Sequence, residues 1–206
     1  CKMKRRDPVI QNLNPEIFEN CSNYYQGIFT KNPKQSITIK NTTIEQCQFE
    51  KIDFNLIELN NTHLVNCVFK NCDLSNLEFD HVSLHCCHFI NCKMIGIGFI
   101  DCSLHDLLFL DIQGRYMNIS YGNIRNVTFQ NSVLDEASIM EVDVKDLEFN
   151  QVSFINGGVF KTKLKGMDLK TTNIEGLRID QTSLVGIHVD MYQAVALASL
   201  LGIIVD

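Results

Sequence analysis

Hydrophobic residues recur along this chain with a period of five, which is neither the 3.6-residue period of a helix nor the alternation of a strand. From Ile39 to Val189 every fifth residue is apolar, apart from Gly114, with no insertion or deletion. Two residues before each of these central positions the side chain is uncharged and mostly small, β-branched or a thiol. Two residues after them, Asn, Asp and Gly gather, as they do at turns.

This period predicts a chain of short extended sides, each ending in a corner. Four sides would close a coil of about 20 residues, and successive coils would stack as parallel strands. Comparison of positions one such coil apart favours four sides, because it places six phenylalanines in one column inside the tube: Phe49, Phe69, Phe89, Phe109, Phe129 and Phe149. The prediction is therefore an all-β, quadrilateral parallel β-helix.

The stretches "CVFKNCDLSNLEF" and "VSFINGGVFKTKLKGMDL" resemble the pentapeptide-repeat family, whose loose pattern is small–polar–Leu/Phe–x–x. The resemblance covers about three quarters of the chain. It implies a right-handed quadrilateral β-helix with a short C-terminal α-helix. The tail "MYQAVALASLLGIIVD" is similar to the C-terminal helix and terminal strand of family members that pair tail to tail.

We divide the chain into three parts. Residues 1–36 form an N-terminal cap or irregular first coil, residues 37–190 the β-helix, and residues 191–206 a helix and terminal strand for dimerisation. The helix is apolar nearly all round, so one face would cover the last coil and the other would need a second copy of the chain. The alternative is a monomer whose helix is only a cap. The predicted homodimer interface is Met191, Ala194, Val195, Leu197, Ala198 and Leu201.

The chain has nine cysteines, and we expect them to be reduced thiols in a cytoplasmic protein because no secretory signal precedes them. Six occupy the small inward position, where Cys acts as a compact hydrophobe: Cys47, Cys67, Cys72, Cys87, Cys92 and Cys102. A packed wall is favoured over internal disulfides. It is also favoured over a metal site, because the histidines fall at outward, solvated positions: His63, His85, His88, His105 and His188. No apolar run is long enough to span a membrane.

The sequence carries no motif for catalysis or cofactor binding, so we predict a protein that is not an enzyme and has no cofactor. From Ile39 to Asp190 there are 20 Asp and Glu against 12 Lys and Arg. The resemblance implies more: quinolone-resistance members of the family bind DNA gyrase or topoisomerase IV in place of DNA. We therefore expect a DNA-mimicking binder of these enzymes that protects them against fluoroquinolones and binds no nucleic acid itself.

The residues support this function through like charges stacked one coil apart, which would cost stability unless a basic partner covers them. The predicted partner-binding acidic face is Asp53, Glu58, Asp73, Glu78, Glu148 and Asp168. A solvated surface without a partner is the alternative explanation. A general interaction scaffold is the alternative function, using outward apolar side chains as a contact patch: Ile90, Ile95, Ile100, Leu110, Met140, Ile155 and Phe160.

Overall fold

The structure, a computed structural model, describes residues 4–16, 18 and 23–204. Within them, twenty short strands alternate with corners. In chain order the strands are β1 Asn14–Glu16, β2 Asn23–Tyr25, β3 Gly27–Phe29, β4 Ile37–Lys40, β5 Thr43–Glu45, β6 Gln48–Glu50, β7 Ile57–Asn60, β8 His63–Val65, β9 Val68–Lys70, β10 Glu78–Asp80, β11 Ser83–His85, β12 His88–Ile90, β13 Gly98–Ile100, β14 Ser103–Leu110, β15 Asn118–Ser120, β16 Asn123–Gln130, β17 Ser138–Met140, β18 Asp143–Asn150, β19 Gly158–Phe160 and β20 Arg178–Ile179.

The strands build a tube with four sides. The coil that begins at His63 shows them in order: β8 forms the first side, β9 the second, a single bridging residue, Asp73, the third, and β10 the fourth. Strands of the first two sides belong to a 12-stranded sheet, and strands of the fourth side form an 8-stranded sheet. The third side is a row of isolated parallel bridges running from Asp53 to Asn173.

The strand register confirms the predicted four-sided parallel β-helix. Every pairing between the described strands is parallel. From β4 onward each residue pairs with its counterpart one coil later, as Ile37 pairs with Ile57 and Phe109 with Phe129.

The core is a stack of aromatic rings. Consecutive rings of the column from Phe29 to Phe129 lie 4.4–4.9 Å apart with interplanar angles of 7–16°. The last pair, Phe129 and Phe149, turns edge-to-face at 5.5 Å and 86°. Phe29 lies in the segment predicted to be a cap or an irregular first coil, and β1–β3 there pair in the same sheet as the coils. The coil geometry therefore begins before Ile37.

The inward cysteines line this core as predicted. All six are buried, and each is a free thiol. The Cys67 thiol lies 3.3 Å from the carbonyl of Ile44 on the preceding coil, and the Cys87 thiol lies 3.5 Å from the carbonyl of Leu64. Burial raises the pKa values of Cys47 and Cys102 to about 12, which suits packing groups and not nucleophiles.

The corners hold their residues in the left-handed backbone region. Non-glycine residues there have φ between 48° and 62°. Asn suits these positions and also forms side-chain ladders, as where Asn61 Nδ2 donates to Asn41 Oδ1 at 2.8 Å. Corners also contain residues outside the predicted set, such as Lys51 and Cys86. Their N–H groups donate to the next coil, at 3.0 Å in both cases, and this offsets a conformational cost of about 1–2 kcal/mol.

Gly114, the exception to the hydrophobic period, does not relax the coil. Its N–H donates to the carbonyl of Val133 at 2.7 Å, in register with the neighbouring coils. A Cβ atom at Gly114 would lie 2.8 Å from Leu134 Cδ2 and 3.0 Å from Met117 Cε. These neighbouring side chains fill the space that a large residue would otherwise occupy.

The C-terminal end departs from strand geometry. Helix α1, Gln181–Leu184, replaces a strand of the last coil, and helix α2, Met191–Ala198, continues into a 3-10 turn at Ser199–Leu201. Leu197 of α2 is buried in the core, and the Gln193 side chain donates to the carbonyls of Leu169 and Thr172 at 2.8 and 2.9 Å. Helix α2 therefore caps the tube. No helix within the described ranges is long and apolar enough to cross a membrane.

The ring stack predicts the most damaging kind of core substitution. We expect Phe89→Ala to lower the free energy of unfolding by about 3–5 kcal/mol, because it opens a cavity between two stacked neighbours. Ile90→Ala, a truncation on the outward side of the same strand, should cost about 1 kcal/mol. Urea denaturation followed by circular dichroism measures both, and equal losses would contradict the stack as the main core contribution.

The Asp180 N-cap of helix α1 predicts that the folded protein loses stability in acid. Hydrogen bonds from Thr182, from the Lys161 backbone and from Ser183 hold the pKa of Asp180 well below its ordinary value. A carboxylate with a lowered folded-state pKa stabilises the protein at neutral pH, and that stability is lost as the pH falls below about 4. Asp180→Asn keeps an N-cap acceptor but cannot titrate. Melting temperatures between pH 7 and 3 should fall less steeply for this variant, and parallel curves would refute the assignment.

Candidate protein-binding surface

Four of the six predicted acidic residues lie together on the outside of the tube. Asp53 and Asp73 are bridge partners on the third side, and Glu58 and Glu78 belong to β7 and β10 on the fourth side. The two glutamates are exposed and the two aspartates half-buried. The structure therefore places these four carboxylates on adjacent sides of two neighbouring coils.

Two further carboxylates extend this group, which we call the acidic patch: Asp53, Glu58, Asp73, Glu78, Asp80 and Asp101. The His81 ring nitrogens lie 2.6 Å from Asp80 Oδ1 and 3.2 Å from Asp101 Oδ2, so this histidine bridges two carboxylates. Asp80 and Asp101 were not predicted as members of the acidic face. The prediction compared only residues that are stacked one coil apart, and such a comparison does not identify side chains that meet across a corner. A shallow groove of about 370 Å³ runs along the patch, lined by residues that include Glu58, Glu78 and Asp80.

The patch is strongly negative. Residues 53–61, 73–81 and 93–101, which cover the third and fourth sides of three coils, hold these six carboxylates against Lys93 alone. The net charge of −5 over three coils, about 14 Å, is about one charge per 3 Å. Duplex DNA carries about one per 1.7 Å.

Lys93 is the counter-charge within the patch. Its Nζ lies 3.1 Å from Asp73 Oδ2. Burial raises the pKa of Asp73, but hydrogen bonds from Ser75 and Lys93 outweigh it, and the pKa is below its usual value. Asp73 is therefore a carboxylate at neutral pH and contributes its negative charge to the patch.

The remaining two predicted residues lie elsewhere. Glu148 belongs to the second side, where it pairs with Thr128 of β16, and Asp168 forms a bridge with His188. Hydrogen bonds from the Lys170 backbone and side chain hold the Asp168 pKa below its usual value, and Asp168 Oδ2 lies 3.1 Å from Lys170 Nζ. A groove of about 250 Å³ beside this pair is also lined by three lysines: Lys145, Lys163 and Lys165. This surface has mixed charge and is separate from the acidic patch.

The outward apolar side chains of the scaffold alternative are not fully exposed. All seven are half-buried, because neighbouring coils cover their flanks: Ile90, Ile95, Ile100, Leu110, Met140, Ile155 and Phe160. They remain candidates for a contact patch, with less accessible surface than fully outward positions would have. Strongly exposed large apolar side chains on the wall of the tube instead include Tyr116 and Tyr121, at 54% and 53% exposure.

The predicted dimer residues divide between the cap and the surface. Met191, Ala194 and Val195 are exposed on α2, Ala198 is half-buried, and Leu197 is buried against the chain's own core. Leu201 ends the 3-10 turn, and its side chain is outside the part that the structure describes. The exposed apolar surface of α2 is continued by Tyr192, Leu200, Ile203 and Ile204. Ile203 and Ile204, in the predicted terminal strand, are not in a strand here.

The tube and its acidic patch define the chain as a parallel β-solenoid with a charged outer surface. Residues 62–139 match the family model described as "Pentapeptide repeat region". The predicted resemblance is thereby confirmed. No curated protein matches the chain.

The chain is also similar to several solved structures. One is a trypsin-treated form of QnrB1, a plasmid-mediated fluoroquinolone resistance protein, with 21% identity, coverage of 89% of this chain and 97% of that one, and a TM-score of 0.44. Another is HetL of Nostoc sp. strain PCC 7120, involved in heterocyst differentiation regulation, with 12% identity, 80% and 88% coverage and a TM-score of 0.34. A third is Rfr23 of Cyanothece 51142, with 13% identity, 69% and 64% coverage and a TM-score of 0.18.

Proposed function

We propose that this chain binds DNA gyrase or topoisomerase IV through the acidic patch, in place of DNA, and lessens the action of fluoroquinolones. The observation that carries the proposal is the concentration of six carboxylates on two adjacent sides of three coils. Asp53 and Asp73 are stacked in register, and Glu58 and Glu78 occupy equivalent positions on paired strands. Stacked like charges weaken a sheet slightly, and a basic partner surface would compensate for this repulsion.

The spacing of negative charges along the acidic patch supports a partner that normally binds DNA. The line charge of the patch is about half that of duplex DNA, and the patch lies on a tube whose sides pair in register with the next coil. A positively charged groove built for phosphates would attract this surface over a distance set by the ionic strength. The family resemblance names the type II topoisomerases as the partners to test first. Binding of this kind requires no catalytic group on the rod.

We expect the wild-type protein to restore gyrase supercoiling in the presence of a fluoroquinolone. Glu58→Lys combined with Glu78→Lys should raise the concentration needed by about 10-fold or more, because it places two positive charges opposite a basic groove. The matched control is Glu148→Lys with Asp168→Lys, which makes the same change of charge on the mixed-charge surface and should shift the dose by less than about 3-fold.

Either of two results in this supercoiling assay would contradict the proposal. One is the absence of any effect of the wild-type chain on gyrase and on topoisomerase IV. The other is an equal loss of protection in the patch variant and in the control variant. Melting temperatures of both variants establish that each remains folded at the assay temperature.

We further propose that two copies of the chain pair through the exposed face of α2. Met191 and Tyr192 are 71% and 80% exposed, and Val195 lies one turn along the helix at 48%. An apolar face of this kind at the end of a capped tube suits a two-fold partner presenting the same face. The copies would then form one rod with an acidic patch in each half.

Sedimentation equilibrium tests this pairing. The wild-type chain should sediment as a dimer, and Met191→Lys combined with Val195→Lys should sediment as a monomer, because the charges cannot be buried unpaired. Tyr116→Lys, at an exposed corner on the wall of the tube, is the control and should remain dimeric. A monomeric wild-type chain at micromolar concentration would exclude the proposed interface.

A further inference from the structure

Four side chains with metal-ligating atoms converge at one corner of the tube. They come from two successive coils: His85 ends β11 and Cys86 follows it, while His105 and Asp106 occupy the equivalent positions one coil later in β14. Because the coils stack in register, His85 lies over His105, with ring centroids 4.8 Å apart, and Cys86 lies over Asp106. We call this group the corner cluster.

The ligating atoms point to a common centre. The Nε2 atoms of His85 and His105 each lie 3.8 Å from Asp106 Oδ2. Cys86 Sγ lies 3.7 Å from His85 Nε2 and 4.0 Å from Asp106 Oδ2. The two histidine nitrogens and the carboxylate oxygen all lie within 4.8 Å of one another.

These separations approach those of a tetrahedral metal site. Zinc bonds of about 2.0–2.3 Å place neighbouring ligand atoms about 3.3–3.7 Å apart. Contractions of a few tenths of an ångström would bring the two histidine–Asp106 pairs and the two Cys86 pairs into this range. Cys86 Sγ lies outside the 4.8 Å group of the other three ligands, so closing the site also requires it to rotate toward His105. The two histidine rings are half-buried at the surface, so side-chain rotation alone can supply the change.

A hydrogen bond from a neighbouring coil orients the Asp106 carboxylate of the corner cluster. Asp106 is 3% exposed, and Asn126, one coil further, donates its Nδ2 hydrogen bond to Asp106 Oδ1. This contact leaves Oδ2, the atom nearest the histidines, directed into the cluster. Outer contacts of this kind fix metal ligands in place.

A cationic side chain already forms an ion pair with the Asp106 carboxylate. The Arg6 Nε lies 3.3 Å from Asp106 Oδ2, and the Arg6 side chain is 70% exposed. Arg6 belongs to an N-terminal segment that crosses the coils on the outside, where Asp7 lies 3.3 Å from His88 and the Val9 N–H donates to Asn66. His88 is consequently covered and not solvated as predicted. The corner cluster thus binds a positively charged group, and a metal ion can displace an exposed arginine side chain.

We propose that the corner cluster binds one Zn²⁺, or a similar borderline divalent transition ion, through His85 Nε2, His105 Nε2, Asp106 Oδ2 and the thiolate of Cys86. Mixed nitrogen, oxygen and sulfur ligands suit such ions and not Mg²⁺ or Ca²⁺. Binding releases the Cys86 proton to solvent and displaces Arg6. The period-five pattern did not bring these residues together, because it assigned the histidines to outward positions and the thiols to inward ones. Cys86 is a corner residue and belongs to neither group.

Zinc titration of the reduced full chain against a chromophoric chelator tests the site. The wild-type protein should bind one Zn²⁺, and His85→Gln with His105→Gln should weaken binding at least about 10-fold. His63→Gln with His188→Gln is the matched control and should stay within about 2-fold of wild type. Arg6→Ala should tighten binding by up to about 5-fold, the strength of an exposed ion pair.

Co²⁺ provides a second readout that does not depend on affinity. The wild-type chain should give tetrahedral d–d absorption and a thiolate charge-transfer band. Cys86→Asn should abolish that band, and it should preserve the corner because Asn occupies the same position one coil earlier, at Asn66, and two coils later, at Asn126.

The proposal is overturned if wild type and the double-histidine variant bind Zn²⁺ equally. It is also overturned if the control variant weakens as much as the double-histidine variant, or if the charge-transfer band survives Cys86→Asn. A Mg²⁺ titration that competes with Zn²⁺ at similar concentration would likewise exclude a site of this ligand set.

Discussion

The structure depends on a left-handed corner residue at nearly every fifth position. At each such corner the chain turns by one side of the square, and at most of them the corner N–H donates to a carbonyl of the next coil. This repeated bond fixes the register at one coil, and the register in turn stacks phenylalanine on phenylalanine and thiol on thiol. The energetic cost of a positive φ is met locally by that bond, so even Lys51 and Tyr121 are accommodated at corners.

The same register determines the outer surface. Any residue type repeated at the same place in the next coil lies directly over its counterpart, whether it is apolar, charged or a metal ligand. This accounts for the aspartates of the acidic patch and for the paired histidines of the corner cluster. It also accounts for neutral regions, because Lys161 meets Glu141 at 2.9 Å and Arg115 meets Asp135 at 3.1 Å. Clusters of side chains on such a rod therefore form wherever similar residues recur every 20 positions in the sequence, without any projecting loop.

The period of five was sufficient to predict the four-sided coil, its phenylalanine column and its inward thiols, because these depend only on backbone register. It could not predict contacts across a corner, and so Asp80 and Asp101 were missed while Glu148 and Asp168 were grouped with a patch on other sides. The partial burial of the outward aliphatics was not predicted either, since it depends on flanking side chains. Helix α1 at Gln181–Leu184 was not predicted, because Leu184 keeps the apolar spacing of a strand; the structure shows Asp180 as its N-cap, accepting from the Ser183 N–H.

The central claim is that the acidic patch occupies the place of DNA on a topoisomerase, and competition measures this most directly. A fluorescent duplex bound to gyrase should lose its anisotropy as the chain is added, with a displacement constant that weakens steeply as salt rises. Simultaneous binding of the chain and the duplex, seen as undiminished anisotropy in the presence of bound chain, would contradict the account.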